Sequence, residues 1–484
     1  MQELLRKLFK DLSITGICFD SRKAKAGDVF FAIKGQNFDG NKFIVEVLNK
    51  GIPLVVTDDI TASVINPQKV MLVEDAKIVL SLAAGIFYPK LPQILIAATG
   101  TNGKTSVTSY CRQLYSLLGE SSSNIGTLGI ECSGDIEPKF VKDIPALTTF
   151  DPISLRYVLH NMAEHNINFV AFEASSHGLH QSRLHGLKVA AACMTSFSQD
   201  HLDYHQTMDD YLLAKLKLFT DNLIVGGVAV LSSEIKELAY IKNYLTERNI
   251  KFVVVGQEGD LKITYIQQSI DGQTVNLTFN GREYSFTTEI IGSFQTSNLL
   301  IAAMLVYHTG FEFVEIITKL SMVKAVRGRL ERIHSKDYPF HVFVDYAHTP
   351  DALANSLNEL RIVKLPHGKL KVIFGCGGNR DIKKRPLMGK IAAQLADESI
   401  VTDDNPRNED PSLIRQEIMN DMSEYSNKYI EIGDRKEAII TTIRNLQDGD
   451  VLLIAGKGHE DYQIIGDKKM PFSDTEIAKM AMDI

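Results

Sequence analysis

Short apolar runs alternate with longer amphipathic stretches along this chain. Apolar runs rich in Val, Ile and Phe, typical of buried strands, occur at residues 94–98, 169–172, 252–255, 342–344, 371–374, 399–401 and 451–455. Stretches with the period of an α-helix lie between many of them, at residues 105–118, 209–219, 351–360 and 411–422. This order predicts an α/β protein with mostly parallel sheets and helices on both faces.

The breaks in this pattern predict three domains. The chain has 484 residues, and a domain typically has about 150. Pro89 and Pro92 favour an extended connector before the run at 94–98, and a helical pattern gives way to new strands near Arg327. We therefore expect domains at residues 1–92, 93–326 and 327–484. Within the second, alternating positions around Gly272 and Gly281 predict antiparallel hairpins at residues 261–288.

The composition excludes several classes of protein. Hydrophobic residues make up 44% and charged residues 23% of the chain, which fits large buried cores rather than disorder. The net charge of −7 argues against binding nucleic acid or an anionic membrane through the overall field. The five cysteines stand singly, which disfavours a disulfide framework or a thiolate zinc site. The N-terminus is too charged for a signal peptide, and no apolar run reaches the ~18 residues that span a bilayer.

From this composition we expect a cytoplasmic protein with no nucleic-acid partner and no membrane insertion. An anionic small-molecule substrate would need cations placed locally, because the overall charge does not attract it.

A glycine-rich loop between a predicted strand and a predicted helix is the strongest local signal. It reads Thr99-Gly100-Thr101-Asn102-Gly103-Lys104-Thr105. In such a loop, backbone N–H groups surround the phosphates, the lysine reaches the β and γ oxygens, and the threonine hydroxyl ligates Mg²⁺. The general pattern has glycine where Ala98 stands, so a chance match on a strand-to-helix turn is the alternative. The loop predicts ATP or GTP binding and leaves the reaction open.

Further short blocks follow one another in a fixed order. They are DSR at 20–22, EASSHGL at 173–179, DHLDYH at 200–205, AK at 214–215, GR at 328–329, DYAHTPD at 345–351, GCGG at 375–378, DNPR at 404–407 and AGKGHE at 455–460. Together with the loop TGTNGKT, this order resembles the Mur ligases, the ATP-dependent amide-forming enzymes of peptidoglycan precursor synthesis. The resemblance runs nearly end to end, and it is strongest to the branch that adds the third residue of the stem peptide.

This resemblance implies a ligand for each domain. A small N-terminal α/β domain would bind the UDP-sugar, a central parallel-sheet P-loop domain would bind ATP, and a C-terminal Rossmann-like α/β domain would bind the amino acid. ATP would phosphorylate the free carboxylate of UDP-MurNAc-L-Ala-D-Glu, and the amino group of meso-diaminopimelate would then displace the phosphate. ATP is thus the implied co-substrate and Mg²⁺ the implied cofactor. We expect a monomer whose C-terminal domain rotates onto the central one.

The resemblance also assigns individual residues. The implied ATP contacts are Gly100, Thr101, Asn102, Gly103, Lys104, Thr105, Asn298, Arg329, Asp345 and Arg435. The implied contacts of the UDP-sugar are Ser21, Thr148, Thr149, Ser175, Gln181 and Arg183. The implied catalytic set is Lys104, Glu173, His201 and Lys215, and the implied Mg²⁺ ligands are Thr105, Glu173, His201 and a Lys215 carbamylated by carbon dioxide.

Residues 201–217 also allow other interpretations. By periodicity alone Lys215 lies on an amphipathic helix, where a lysine is usually solvated. The resemblance implies instead that its carbamate helps to hold the second Mg²⁺. His201 and His205 have the spacing of a zinc protease helix, but Leu202 stands where such a protease needs glutamate. A hydrolytic zinc site is therefore disfavoured.

The block DNPR bears on which amino acid is added. Meso-diaminopimelate carries a carboxylate and an ammonium at its far end, whereas lysine carries only the ammonium. Arg407 would bind that carboxylate with two parallel hydrogen bonds, and a site built this way penalises a ligand without the group. The other implied contacts of diaminopimelate are Arg380, Asp404, Asn405, Pro406, Gly456 and Glu460, of which Glu460 and the Gly456 carbonyl would hold the distal ammonium.

Two departures from the family pattern and two other functions stay open. Phe150 replaces a proline and Ser196 replaces an asparagine, so the local geometry of the sugar path and the loop is not predicted. A sibling ligase, such as the D-Ala-D-Ala-adding enzyme or folylpolyglutamate synthase, is the first alternative, and the blocks DNPR and AGKGHE argue against it. A P-loop NTPase that moves a partner is the second. ATPase activity independent of both UDP-sugar and amino acid would favour it.

Overall fold

The computed structural model describes residues 1–35, 38–134, 147–333, 338–425 and 428–483. By its contacts the chain divides into two compact units, Met1–Val254 with Ile301–Phe313 and Val255–Leu300 with Val314–Ile484. Both contain parallel sheets whose strands are almost fully buried, as expected where helices cover a parallel sheet. In the described ranges, no helix combines the length and the apolar character needed to cross a membrane.

The first unit begins with a four-stranded parallel sheet. Its elements are α1 (Gln2–Asp11), β1 (Gly16–Cys18), β2 (Asp28–Ala32), α2 (Ile44–Asn49), β3 (Leu54–Thr57), α3 (Ile60–Ser63), β4 (Val70–Leu72) and α4 (Ala76–Phe87). The strands pair in the order β1-β2-β3-β4. Leu5 of α1 and Val79 of α4 pack with Phe31 in the core on one side of this sheet. Ile44 of α2 lies in a separate core cluster.

A larger sheet follows in the same unit. Its elements are β5 (Ile94–Thr99), α5 (Lys104–Leu117), β6 (Ser122–Gly126), β7 (Gly129–Cys132), α6 (Pro152–Glu164), β8 (Phe169–Glu173), α7 (Ser176–His180), β9 (Val189–Met194), α8 (Met208–Lys217), β10 (Leu223–Ser232), α9 (Leu238–Thr246) and β11 (Lys251–Gly256). Six strands pair in the order β10-β9-β5-β8-β6-β7, and all of these pairs are parallel except β6 with β7. Thr99, Glu173 and Met194 therefore end three neighbouring strands at one edge, where open α/β sheets bind ligands.

The second unit opens with an antiparallel meander. It consists of β12 (Leu261–Ser269), β13 (Gly272–Phe279) and β14 (Arg282–Thr288). The turns lie at Asp271-Gly272 and Asn280-Gly281, so both predicted hairpins are present. Two helices follow along the chain, α10 (Ser293–Tyr307), of which the residues from Ile301 onward belong to the first unit, and α11 (Phe313–Lys319).

A doubly wound sheet completes the second unit. Its elements are β15 (Glu331–Ile333), β16 (His341–Asp345), α12 (Pro350–Val363), β17 (Leu370–Phe374), α13 (Lys384–Leu395), β18 (Glu398–Val401), α14 (Pro411–Met419), β19 (Lys428–Glu431), α15 (Arg435–Arg444), β20 (Val451–Ala455), β21 (Tyr462–Ile465), β22 (Lys468–Pro471) and α16 (Asp474–Ala481). The strand order is β15-β16-β20-β17-β18-β19, with β21 and β22 as a separate hairpin. Helices α12, α13 and α14 contribute to one core cluster and α15 and α16 to another.

The predicted fold class is confirmed, and the seven predicted strands all form. Helix ends differ by a few residues. The helix predicted at 209–219 ends at Lys217, where a π-helical turn at Leu218–Asn222 follows. The helix predicted at 411–422 ends at Met419. The domain boundaries near residues 92 and 326 stay predictions.

Candidate functional site

The glycine-rich loop joins the end of β5 to the start of α5, as the sequence predicts. Lys104 Nζ donates to the carbonyl oxygens of Gly100 and Thr101, both at 2.9 Å. Gly103 precedes the first residue of α5 with a φ of 87°, a left-handed conformation that favours glycine. The loop thus lies at the positive end of a helix, the place where phosphate groups bind.

The segment after β9 holds this loop in place. Thr195 Oγ1 donates to the Asn102 carbonyl. Ser196 Oγ donates to the same carbonyl at 3.1 Å and accepts from the Asn102 amide at 2.9 Å. Thr101 donates its amide to the Ser196 carbonyl at 3.0 Å. Ser196, one of the two departures from the family pattern, is therefore a direct support of the phosphate loop.

Glu173 ends β8 next to the loop, because it pairs in register with Ala98 of β5. It is 2% exposed. Its carboxylate accepts from the Thr127 amide at 2.8 Å and from the Thr127 hydroxyl at 3.1 Å. A Cβ at position 126 would collide with this carboxylate, so any residue other than glycine there would force the Glu173 side chain to move. Neutral donors thus hold a buried carboxylate beside the candidate phosphate site, and such a group favours a nearby cation.

Lys215 is buried, contrary to the expectation from helical periodicity. It is 1% exposed, and its Nζ donates to the Gly100 carbonyl at 2.8 Å, the same oxygen that accepts from Lys104. The nitrogen also lies 4.3 Å from the centre of the Tyr211 ring. Burial, together with the nearby charge of Lys104, holds the pKa of Lys215 well below its usual value. Lys215 is thus the kind of lysine whose neutral amine can react with carbon dioxide.

His201 lies in the loop that follows β9. Its φ is 53°, and its amide donates to Asp200 Oδ1 at 2.8 Å. Its ring faces that of His177, with 4.7 Å between the centroids. Partial burial lowers the pKa of His201, which favours the neutral imidazole that a metal ion needs.

The residues expected along the muramoyl-peptide path form one hydrogen-bonded network. Thr149 Oγ1 donates to the Glu173 carbonyl at 2.9 Å and accepts from the Ser175 amide at 2.8 Å. Arg183 donates to the Thr149 carbonyl at 2.6 Å and to Gln181 Oε1 at 2.7 Å. The Thr148 hydroxyl lies 3.2 Å from the Thr127 hydroxyl, which connects the network to Glu173.

Ser21 is not part of that network. It is buried after β1, and its carbonyl accepts from Lys50 Nζ at 2.9 Å. The adjacent Arg22 is exposed and pairs with Asp20 at 2.7 Å. The other departure, Phe150, is buried in the core of the larger sheet.

The donor atoms near the phosphate loop determine which kind of Mg²⁺ site can form there. Within the described ranges, no three His, Cys, Asp or Glu side chains lie close enough together to bind a metal ion by themselves. The Thr105 hydroxyl and the Glu173 carboxylate are oxygen donors, and Mg²⁺ is commonly bound through one or two carboxylates together with substrate phosphates. The residues therefore fit a cation that arrives with a nucleotide, and they do not fit an independent metal site.

In the second unit, hydrogen bonds connect the loop after β17 to the loop after β18, which carries Arg407. Gly378 donates its amide to the Asn405 carbonyl at 2.9 Å, and Arg407 Nη1 donates to the Gly378 carbonyl at 2.8 Å. The backbone of Arg407 also pairs with the β21 hairpin: its amide donates to the Ile464 carbonyl at 3.1 Å, and its carbonyl accepts from Gly466 at 2.8 Å. Arg380 lies exposed in the first of these loops.

The residues of AGKGHE meet DNPR at the carboxyl ends of β20 and β18. Asn405 Nδ2 donates to Glu460 Oε2 at 3.0 Å. Lys457 Nζ donates to the same oxygen at 2.9 Å and to Asn405 Oδ1 at 3.2 Å. Asp404 is buried beside Gly456, where a Cβ would lie 2.7 Å from Asp404 Oδ2. Pro406, which lies between Asn405 and Arg407 in the sequence, is also buried. The structure thus brings together most of the predicted amino-acid contacts.

Arg435 is buried in the interior of the second unit. It is 2% exposed, and it binds the carboxylate of Asp474 in α16 with two hydrogen bonds of 2.8 and 2.7 Å. Its Nη2 also donates to the Ala455 carbonyl at 2.8 Å. The nucleotide contact that the resemblance implies for Arg435 stays a prediction, and its visible role is to attach α16 to the end of β20.

The other three residues expected near the nucleotide are Asn298, Arg329 and Asp345. Hydrogen bonds connect the segments that carry them. Asn298 donates to Gln295 Oε1 at 3.3 Å, and Gln295 donates to the Arg329 carbonyl at 3.3 Å. Asp345 ends β16, and its carboxylate accepts from the amides of Leu330 and Tyr346 at 3.1 and 2.9 Å. Burial raises the pKa of Asp345. Both of its oxygens have protein donors, since Ser356 Oγ donates to Oδ2 at 2.5 Å.

Sequence reasoning did not predict four residues that hold the candidate sites. They are Thr127, Tyr211, Lys457 and Asp474. Lys457 lies within the block AGKGHE, so the block was a signal although no role was assigned to the lysine. Thr127 and Asp474 carry no local pattern, because each acts through a contact with a residue distant in sequence. Tyr211 lies one helical turn before Lys215, so the spacing of the two residues was a signal for their contact.

The chain is similar to known proteins along nearly its whole length. Three family models match in succession: the Mur ligase family catalytic domain at residues 13–88, the Mur ligase middle domain at 98–306, and the Mur ligase glutamate ligase domain at 328–458. A Rickettsia conorii protein named "UDP-N-acetylmuramoyl-L-alanyl-D-glutamate--2,6-diaminopimelate ligase" is 53% identical over 484 residues, which covers 100% of this chain and 99% of that protein.

Solved structures resemble the chain as well. One of a ligase with the same name has a TM-score of 0.69 at 30% identity and covers 97% of this chain and 95% of its own. The MurF ligase of Thermotoga maritima in complex with ADP has a TM-score of 0.61 at 18% identity, with 93% and 95% covered. At that identity the second likeness concerns the fold alone.

Proposed function

This chain belongs to the Mur ligase family, and we propose that it is the member that adds meso-2,6-diaminopimelate to UDP-N-acetylmuramoyl-L-alanyl-D-glutamate. It is an ATP-dependent ligase that forms a C–N bond in peptidoglycan precursor synthesis. The observation that carries the proposal is the 53% identity to the Rickettsia conorii ligase over all 484 residues. The site geometry supports it, because DNPR and AGKGHE are joined by Asn405, Lys457 and Glu460.

The reaction has two steps. The free carboxylate of the UDP-MurNAc-dipeptide attacks the γ-phosphorus of ATP, so that the bond to ADP breaks and an acyl phosphate forms. The amino group of the incoming amino acid then attacks the acyl carbon, inorganic phosphate leaves, and the nitrogen loses a proton. Phosphoryl transfer of this kind depends mainly on positioning and on neutralising charge.

The first unit supplies the groups for phosphoryl transfer. Residues 100–105 surround the phosphates, and Lys104 moves from the loop carbonyls to the phosphate oxygens. Thr148, Thr149, Ser175, Gln181 and Arg183 orient the muramoyl peptide, and Ser21 contributes to the uridine end. The neutral oxygens that now bind Arg183 leave its positive charge available for an anionic substrate.

Thr105, Glu173, His201 and a carbamylated Lys215 would hold Mg²⁺. When bound, the cation supplies charge neutralisation to the phosphate groups. Burial lowers the pKa of Lys215, which increases the share of neutral amine that can take up carbon dioxide. Carbamylation then turns a group that donates to the Gly100 carbonyl into an anion.

The second unit supplies the amino-acid site. Arg407 and Arg380 bind the carboxylates, and Glu460 with the Gly456 carbonyl binds the distal ammonium. Asp404, Asn405 and Pro406 complete the loop that carries Arg407. Asn298, Arg329, Asp345 and Arg435 are the proposed nucleotide contacts of this unit. Of these, Arg329 has its guanidinium 4.6 Å from the centre of the Tyr346 ring.

We place this reaction in the cytoplasm. All five cysteines are free thiols, which fits a reducing compartment. We further expect the chain to act as a monomer, which light scattering of the purified protein tests directly.

The decisive experiment is a product analysis. The protein is incubated with UDP-MurNAc-L-Ala-D-Glu, ATP, Mg²⁺ and either meso-diaminopimelate or L-lysine, and the product is identified by mass. We expect the diaminopimelate tripeptide, with phosphate release that requires both the UDP-sugar and the amino acid. Phosphate release without either substrate would contradict the proposal and favour a P-loop NTPase of another kind.

A further inference from the structure

Lys457 is a fully buried cation within the amino-acid site. Its side chain is 0% exposed, and it lies just after β20, between Gly456 and Glu460 in sequence. Its Nζ donates to Glu460 Oε2 at 2.9 Å and to Asn405 Oδ1 at 3.2 Å. A buried ammonium is tolerated only where such acceptors surround it. Lys457 therefore depends on Glu460 and Asn405 for its position, and these two side chains depend on Lys457 for theirs.

Glu460 is bound through only one of its two oxygens. Oε2 accepts both from Lys457 and from Asn405 Nδ2 at 3.0 Å. Among the residues that the structure describes, none donates a hydrogen bond to Oε1, and the side chain is 15% exposed. The carboxylate is therefore fixed on one side and open on the other.

Asn405 is held by the same lysine and has no hydrogen-bonding capacity left for a ligand at its oxygen. Oδ1 accepts from Lys457 Nζ at 3.2 Å and from the Ile464 amide at 2.9 Å. The Ile464 carbonyl in turn accepts a hydrogen bond from the Arg407 amide at 3.1 Å. The chain of contacts from Lys457 thus reaches both ends of the proposed ligand site, Glu460 at one and the backbone of Arg407 at the other.

We propose that Lys457 is a positioning residue of this site: it holds Glu460 and Asn405 so that Glu460 Oε1 is the oxygen presented to the ammonium group of the amino acid. This inference rests on the proposed function of the site. Lys457 does not itself touch the ligand. Without it, Oε2 loses its charged donor and the carboxylate is free to rotate away from the productive orientation.

The test is Lys457→Met, which preserves the length and apolar stem of the side chain and removes the charge. We expect the KM for the amino acid to rise by about tenfold or more, while kcat and the KM values for ATP and UDP-sugar change by less than about threefold. Lys479→Met is the matched control, because Lys479 forms an exposed pair with Glu476 at 3.1 Å. It should behave as the wild type.

A double-variant cycle separates positioning from general loosening. In a Glu460→Gln background the charge that Lys457 holds is already gone, so adding Lys457→Met should raise the amino-acid KM by only about twofold further. If the Met variant does not fold, Lys457→Gln, whose amide still donates hydrogen bonds, is measured in its place. Full additivity in the cycle, an unchanged amino-acid KM, or an equal rise in the KM for ATP would overturn the proposal.

The wild-type arm tests the proposed function separately. If the wild type ligates L-lysine rather than diaminopimelate, the substrate assignment fails. The lysine KM then replaces that of diaminopimelate in the cycle, because either ligand presents a distal ammonium to Glu460.

Discussion

The two units hold their buried and partly buried cations with different kinds of partner. In the first, Lys215 donates to the Gly100 carbonyl and Arg183 to the Thr149 carbonyl and the Gln181 amide oxygen. In the second, Lys457 pairs with Glu460 and Arg435 with Asp474. Cations held by neutral oxygens keep most of their charge for a ligand, whereas cations paired with carboxylates act on the protein itself.

This difference follows the charge of the proposed ligands. The first unit is expected to bind ATP and a UDP-sugar, both polyanions, so unpaired positive charge is useful there. The second is expected to bind a zwitterionic amino acid, whose positive and negative ends need a site of nearly balanced charge. The comparison therefore makes four predictions, which differ in the unit and in the kind of contact that they disturb.

Lys215→Met should have the largest effect. It removes the group that carbon dioxide would modify, and we expect kcat to fall by about a thousandfold. Isotopically labelled bicarbonate should give a carbamate signal by NMR in the wild type and none in the variant. Lys217→Met, on the same helix, is the control. A fully active Lys215→Met variant would contradict the view that this buried cation of the first unit serves the reaction.

Asp474→Asn should have the next largest effect, on stability. It leaves the buried Arg435 without its carboxylate, and losing one partner of such a pair typically costs about 3–5 kcal/mol. The midpoint of thermal unfolding should fall accordingly. Glu476→Gln, on the exposed face of the same helix, should change stability by less than about 0.5 kcal/mol. Equal effects of the two substitutions would show that Arg435 does not depend on its partner.

Arg407→Ala tests the amino-acid end of the second unit. We expect the KM for diaminopimelate to rise by at least about tenfold, because a bidentate carboxylate contact is lost, while the KM for ATP is unchanged. Arg361→Ala is the control, since Arg361 pairs with Asp397 at 2.9 Å. Equal rises in both KM values would contradict the assignment of Arg407.

Ser196→Ala should have the smallest effect. It removes the two hydrogen bonds to the backbone of Asn102 at 3.1 and 2.9 Å, and we expect the KM for ATP to rise by about threefold. Ser285→Ala in the hairpin is the control. If only the KM for the amino acid responds, Ser196 does not support the phosphate loop in the way that its contacts indicate.

The sequence predicts the parts of this molecule that depend on local pattern. Strands such as β8 and β20 are continuous apolar runs, and the phosphate loop combines local glycines with its lysine, so local sequence is enough to predict both. The helix that carries Lys215 was also predicted, but the burial of that lysine was not inferred from periodicity. Its environment depends on Gly100 and Tyr211, and helical periodicity contains no information about Gly100.

Pairings between distant residues account for most of what sequence pattern missed. Asp474 lies on an ordinary amphipathic helix, and nothing in its neighbourhood indicates that it binds Arg435. Ser196 shows a related limit: its departure from the family pattern is visible, but its contact with Asn102 becomes known only when β9 and the loop are placed side by side. Contacts that join separate elements can be identified only once the fold is known.

The pairing of Arg407 with the β21 hairpin has a consequence for insertions and deletions. The amide of Arg407 donates to the Ile464 carbonyl, and its carbonyl accepts from the Gly466 amide. Arg407 therefore pairs with β21 as a neighbouring strand residue would. A single residue inserted between Glu460 and Ile464 would shift the register and turn alternate side chains to the opposite face. The segment should therefore tolerate changes of side chain, as at the exposed Ile465, far better than changes of length.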